Sequence, residues 1–142
     1  MPTRRASAKW EGGMKGGKGN FNGESGAING QYNFGSRFES GTGSNPEELL
    51  AAAEAACFSM ALSGSLERNG TPPTSVETSA ACTVEKSGDG FSITRMKLDV
   101  SAIVPNIEDA KFQEIANSTL TGCPVSRAFK GNMEIQMEAR LV

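Results

Sequence analysis

Asn45-Pro46-Glu47-Glu48-Leu49-Leu50-Ala51-Ala52-Ala53-Glu54-Ala55-Ala56-Cys57-Phe58-Ser59-Met60-Ala61-Leu62 reads as the opening of one long helix. Asn45 stands as its N-cap, Pro46 takes the first helical position where no amide hydrogen is needed, and Glu48 sits where a capping box wants its acid. The helix is expected to run to about Arg68 and to stop at Asn69-Gly70. Leu49, Leu50, Ala53, Ala56, Cys57, Met60, Ala61 and Gly64 recur at three- and four-residue steps, which predicts a buried stripe with Cys57 in its middle. The stripe is narrow because its residues are small, so a second helix is expected to pack closely against it.

Upstream, residues 1–43 are rich in Gly and Asn, with turn signals at Gly12-Gly13, Gly16-Gly17, Asn22-Gly23 and Asn29-Gly30, and read as a small meander of strands. Downstream, Thr71-Pro72-Pro73 breaks the chain, and Val76, Thr78, Ala80, Cys82 and Val84 then alternate with polar or small residues at the period of a half-buried strand. A turn at Ser87-Gly88-Asp89-Gly90 leads into Phe91 to Val104, with Met96, Leu98, Val100 and Ala102 on one face, so the two runs form a hairpin. Asn106 is expected to open a second helix with Phe112, Ile115, Ala116, Thr119 and Leu120 on its apolar side and Gly122 at its end. Cys123-Pro124 starts a short helical segment to about Lys130, and strict alternation from Met133 to Leu141 closes the chain on an amphipathic strand. The pattern is α+β, in a single domain over residues 1–142.

Composition excludes several classes of function. The 16 acidic and 14 basic residues are interspersed, which leaves no basic footprint for nucleic acid or an anionic membrane surface. No apolar run approaches the roughly 20 residues of a membrane span and the first ten residues lack a signal-peptide core, so a cytoplasmic protein is expected. With no histidine, the chain cannot build a Cys-His pair, a Ser-His-Asp triad or an imidazole-ligated zinc site. Neither a metal nor an organic cofactor is expected. Gly12-Gly13-Met14-Lys15-Gly16-Gly17-Lys18-Gly19 nearly spells a phosphate loop, but Gly19 stands where Ser or Thr is required and no helix start follows, so it reads as a hairpin loop. Seven Phe, one Trp and one Tyr in 142 residues make a lean core, which burial against a second copy would supplement.

Three cysteines, Cys57, Cys82 and Cys123, suit reduced thiols better than a disulfide scaffold. Cys82 falls on the apolar face of a strand and reads as a small buried hydrophobe. Cys123 precedes Pro124 at a helix start, where partial positive charge favours thiolate, whereas Cys57 in mid-helix has no such help and is inert without a cation. Arg37, in Ser36-Arg37-Phe38-Glu39, is the candidate: its fixed charge and forked donors can hold both a thiolate and a second oxygen ligand, although an ordinary surface ion pair accounts for it equally well.

Asn45 to Ala53, Ala55 to Leu62 and Gly122-Cys123-Pro124-Val125-Ser126 closely resemble the osmotically inducible protein C family, a likeness that extends to Lys9-Trp10-Glu11-Gly12, Arg37-Phe38-Glu39 and Thr71-Pro72. The resemblance implies an intertwined homodimer in which curved antiparallel sheets wrap around central helices. It implies a thiol-dependent peroxidase of oxidative and osmotic stress defence that acts on organic hydroperoxides and hydrogen peroxide and is reduced by a dithiol. It puts the peroxidatic cysteine at Cys57, the resolving cysteine at Cys123, the active-site arginine at Arg37 and its carboxylate at Glu47, and so reverses the ranking of the cysteines. Apolar surroundings then favour bulky organic peroxides. Glu47 precedes Cys57 by ten residues, about 15 Å along a straight helix, so a Cys57 site that uses Glu47 is expected to take it from the partner chain. Glu54 departs from relatives that carry histidine there. The competing class is a redox sensor or small apolar ligand-binding stress protein without catalysis.

Overall fold

Strands β1 (Ala6–Glu11), β2 (Lys18–Gly23) and β3 (Asn29–Tyr32) form the expected meander, an antiparallel sheet in the order β1-β2-β3. The structure, a computed structural model, describes residues 1–142. Asn22 pairs with Asn29, so the Asn22-Gly23 and Asn29-Gly30 signals lie within the ends of β2 and β3 rather than in turns, and the reversal falls between them. Gly30 sits in β3 because its missing side chain makes room for an aromatic ring: a Cβ there would lie 2.4 Å from Phe21 Cζ. Trp10, Phe21 and Tyr32 pack as tilted neighbouring rings, with centroids 5.3 Å and 5.9 Å apart for the two pairs that include Tyr32.

A five-residue helix that periodicity is too short to reveal, α1 (Phe34–Phe38), follows β3. Asn33 caps it by a full capping box, its side chain accepting from Ser36 N at 2.8 Å while Ser36 Oγ accepts from Asn33 N at 2.9 Å. The long helix α2 (Pro46–Arg68) has the expected bounds. Asn45 Oδ1 accepts from Glu48 N at 2.8 Å as a cap should, but the Glu48 carboxylate accepts from Ser44 Oγ instead of completing a box. At its far end Gly70 takes a left-handed φ of 83°, with Gly70 N donating to Glu67 O and Thr71 N to Leu66 O.

Strands β4 (Ser75–Ser87) and β5 (Gly90–Ile103) form the expected hairpin, which pairs Val76 with Ala102, Ala80 with Leu98 and Cys82 with Met96. Helix α3 (Asp109–Gly122) begins three residues later than expected, because Asn106 adopts a left-handed φ of 64° and belongs to the preceding turn. Helix α4 (Pro124–Phe129) and strand β6 (Glu134–Leu141) complete the chain. β6 joins the edge of β5 in parallel, so this second sheet, ordered β4-β5-β6, is mixed rather than wholly antiparallel. The α3–α4 segment makes that crossover, since a parallel pair cannot be joined by a tight turn. The α+β class stands.

The chain divides into two compact units, Met1–Glu48 and Leu49–Val142. In the second, Met96, Leu98, Val100 and Ala102 of β5 are fully buried with Phe58, Leu62 and Leu66 of α2 and with Phe112 and Ala116 of α3. This corrects the predicted stripe. The buried line of α2 is Glu54, Phe58, Leu62 and Leu66 at four-residue steps, while Ala53, Ala56 and Met60 are exposed and Cys57 lies half-buried at the border. α2 is apolar on both faces, so three- and four-residue spacing fits either one; the bulkier line wins because it fills more space against the sheet. For the same reason α2 is, against expectation, long and apolar enough by length and composition to cross a bilayer. Yet one face of it is committed to the protein core.

Candidate active site

The structure brings the four sequence-predicted site residues together as two pairs, one in each unit. In the first unit the capped α1 presents Arg37. Ser36 Oγ donates to Ser44 O at 2.8 Å and Asn45 Nδ2 donates to Ser36 O at 3.0 Å, which latches α1 to the turn that enters α2. Arg37 is thereby laid against the first turn of α2, where Nη2 and Nε donate to Glu47 Oε1 at 2.9 and 3.2 Å. Glu47 is 5% exposed and the Arg37 side chain about a third exposed, so this is a sheltered, forked ion pair with one open side on the guanidinium. Its open side faces an aromatic cleft of about 440 Å³ lined by Trp10, Met14, Tyr32, Phe34 and Phe38, with the Phe38 ring 5.0 Å from the guanidinium carbon.

The second unit brings Cys57 and Cys123 together. Cys57 is half-buried on α2, Cys123 is 1% exposed at the N-cap of α4, and the two sulfurs share a hydrogen bond at 3.0 Å. Both are free thiols, further apart than the roughly 2.05 Å of a disulfide but close enough for a small movement to join them. An apolar cleft of about 620 Å³ opens beside the pair, between Met60, Gly64 and Ser65 of α2 and Ser118 and Thr119 of α3. A Thr119 Oγ1 to Ser65 Oγ hydrogen bond of 3.2 Å spans its floor.

Electrostatics within the unit disfavour the Cys57 thiolate. Burial pushes its thiol above the ordinary 9.0, and the hydrogen bond with Cys123 and the electrostatic influence of Cys123 and Glu54 push the same way; only the Val125 backbone N–H pulls it down. None of these influences is a cation. Cys82 lies half-buried on β4 opposite Met96, as a packing residue would.

Sequence reasoning passed over one further pair. Glu54 is fully enclosed, and its Oε1 accepts a hydrogen bond from Ser126 Oγ while Oε2 has no partner. Burial raises its carboxyl above the usual range, with the Ser126 bond offsetting part of that rise. The signal was present: one acid stands alone among alanines three residues before Cys57, and a serine stands three residues after Cys123.

Comparison with known proteins places the chain in a family. Residues 39–138 match the model of the OsmC-like protein family. The chain is 43% identical to peroxiredoxin OsmC of Escherichia coli strain K12 over 96% of both chains. It is 33% identical to the organic hydroperoxide resistance protein OhrB of Bacillus subtilis strain 168, over 72% of this chain and 74% of that one. The crystal structure of B. subtilis OhrB superposes with a TM-score of 0.75 at 27% identity, over 96% of this chain and 98% of the other. On likeness of sequence and fold across nearly its whole length, the chain belongs to the OsmC-like protein family.

Proposed function

We propose that this protein is a thiol-dependent peroxidase that reduces hydroperoxides in stress defence, with Cys57 as the attacking thiol and Cys123 as the resolving one. The observation that carries the assignment is the 3.0 Å sulfur pair beside a cleft, in which Cys57 is half-exposed and Cys123 is buried. Cys57 is the more open of the two sulfurs, which supports giving it the first encounter with peroxide. The Cys57 thiolate attacks one peroxide oxygen, the O–O bond breaks, and the product alkoxide takes up a proton as Cys57 becomes a sulfenic acid. The Cys123 thiol then displaces that hydroxyl, releasing water and forming the Cys57–Cys123 disulfide, and an external dithiol reduces it by two exchange steps. No metal or organic cofactor enters these steps.

Activation of Cys57 needs a cation, and a guanidinium already oriented by a carboxylate suits the task. Arg37, held by Glu47, is assigned that role: it steadies the thiolate and the departing oxygen. Because Arg37 and Glu47 are bonded within one chain, they come to a site together. The sheltered thiols lie next to the bare Ala53-Ala56-Met60 face of α2, with Met60 81% exposed, so the working form is a homodimer in which a partner covers that face and completes the site. The two units act as one domain over residues 1–142, since α2 belongs to both. The aromatic cleft beside Arg37 and the apolar cleft beside Cys57 favour bulky organic hydroperoxides over hydrogen peroxide. Three cysteines, an odd number in a chain long enough to fold without disulfides, suit a cytoplasmic setting.

The deciding experiment is peroxide turnover with a dithiol. Cys57→Ser abolishes it, and Cys123→Ser allows one turnover before Cys57 advances to sulfinic acid. A single stoichiometric oxidation of the unsubstituted protein, without turnover, replaces the enzyme with a redox sensor.

A further inference from the structure

Glu54 and Ser126 stand in the same relation to one another as Cys57 and Cys123. Glu54 lies one turn before Cys57 on α2, and Ser126 lies one turn after Cys123 in α4. Two contacts therefore cross between the same two helices: sulfur to sulfur at 3.0 Å, and Ser126 hydroxyl to Glu54 carboxyl. The Val125 N–H, which acts on Cys57, comes from the same first turn of α4.

A buried carboxyl is an expensive way to make such a link. Glu54 is 0% exposed within its own chain, so no second copy reaches it, and its Oε2 is left without any hydrogen-bond partner. Leucine at this position would extend the Phe58-Leu62-Leu66 line with no desolvation penalty. What leucine cannot do is hold Ser126.

We propose that the Glu54–Ser126 hydrogen bond is a positioning element for the resolving step, fixing the first turn of α4 so that the Cys123 sulfur faces Cys57 when Cys57 carries the sulfenic hydroxyl. In that step the Cys123 S–H proton leaves with the sulfenic hydroxyl as water and the S–S bond forms, so the rate depends on in-line approach of one sulfur to the other. Without the link, the sulfenic acid waits longer and meets a second peroxide. The inference rests on the assignment of Cys57 and Cys123 made above.

The test separates the two chemical steps in single-turnover experiments on the full-length protein, using cumene hydroperoxide and following sulfenic acid formation, disulfide formation and the sulfinic product by rapid quench and mass spectrometry. Ser126→Ala and Glu54→Leu are expected to slow disulfide formation about tenfold, the factor that loss of a buried hydrogen bond of about 1.4 kcal/mol represents, and to raise the sulfinic fraction in proportion. Sulfenic acid formation changes less than disulfide formation. Glu54→Gln keeps an acceptor for the serine hydroxyl and is expected to restore resolution. Equal slowing of both steps marks general loosening and overturns the proposal, as does unchanged resolution in the folded Ser126→Ala variant, or a Glu54→Gln variant that behaves like Glu54→Leu. A wild-type protein that forms no sulfenic acid at Cys57 fails at the first step, which refutes the peroxidase assignment rather than the positioning role.

Discussion

Cys57 gains little reactivity from its own helix. Burial, Cys123 and Glu54 all raise its thiol above 9.0, so a measured thiolate at neutral pH has to come from a cation. With Arg37 in that role, the pH dependence of Cys57 alkylation in the intact assembly is expected to have its midpoint below 9.0 and to move upward in Arg37→Ala. Arg37→Lys restores only part of the shift, because an ammonium cannot make the forked contact that Glu47 now accepts. A midpoint unmoved by Arg37→Ala removes Arg37 from the site.

Glu54 makes a residue-scale prediction of opposite character, one about stability. In the unfolded chain its carboxyl titrates near 4.5, and in the fold it holds its proton to higher pH. The native state then binds more protons than the unfolded state between those values, so this group's contribution is intact below pH 4.5 and is lost as pH rises through the folded value. Glu54→Gln has no such titration. Urea unfolding of both proteins at a series of pH values is expected to show the variant gaining on the wild type as pH rises; parallel curves contradict a raised carboxyl.

At the scale of elements, α2 is where expectation and structure parted most usefully. Its start, its length and its stop at Gly70 were legible because caps and breakers are local chemistry, written in Asn45, Pro46 and Gly70. Its orientation was not, because Ala, Met, Leu and Phe surround it on every side. The rotated core line predicts that Leu62→Ala, which empties a fully buried position, costs about 2–5 kcal/mol in denaturant unfolding. Gly70→Ala, which forces a side chain into a left-handed cap, costs about 1 kcal/mol. If Leu62→Ala costs no more than Gly70→Ala, the buried face has been misassigned. α1 escaped notice altogether, since five residues hold too little periodicity, and its capping box reads in sequence as any other Asn-x-x-Ser.

For the whole molecule, the bare side of α2 becomes the most consequential surface. Ala53, Ala56 and Met60 form an apolar strip on the helix that carries Cys57, and such strips are uncommon on a surface that stays in water. Met60→Glu is expected to convert a dimer into monomers by light scattering after gel filtration and, at the same protein concentration, to lose most peroxidase activity. A wild-type protein that elutes at a single chain's mass, with full activity, leaves no place for the second copy. Burial of that strip would also bring the lean core of a 142-residue chain closer to what a stable domain needs.

What the amino-acid sequence determined by itself was the order and type of nearly all the elements, the places of Cys57 within a helix and Cys123 at a helix start, and the absence of imidazole chemistry. Each follows from local rules: caps, two-residue alternation, and the presence or lack of a side chain. Only the tertiary structure decided that the Glu54 line of α2 faces the sheet, that β6 returns parallel to β5, that Arg37 and Glu47 meet, and that Cys123 lies 3.0 Å from Cys57 with Glu54 bound to Ser126 one turn away. These depend on which of several apolar faces fills the most space against a distant strand, and on which residues far apart in the chain are thereby brought within bonding distance.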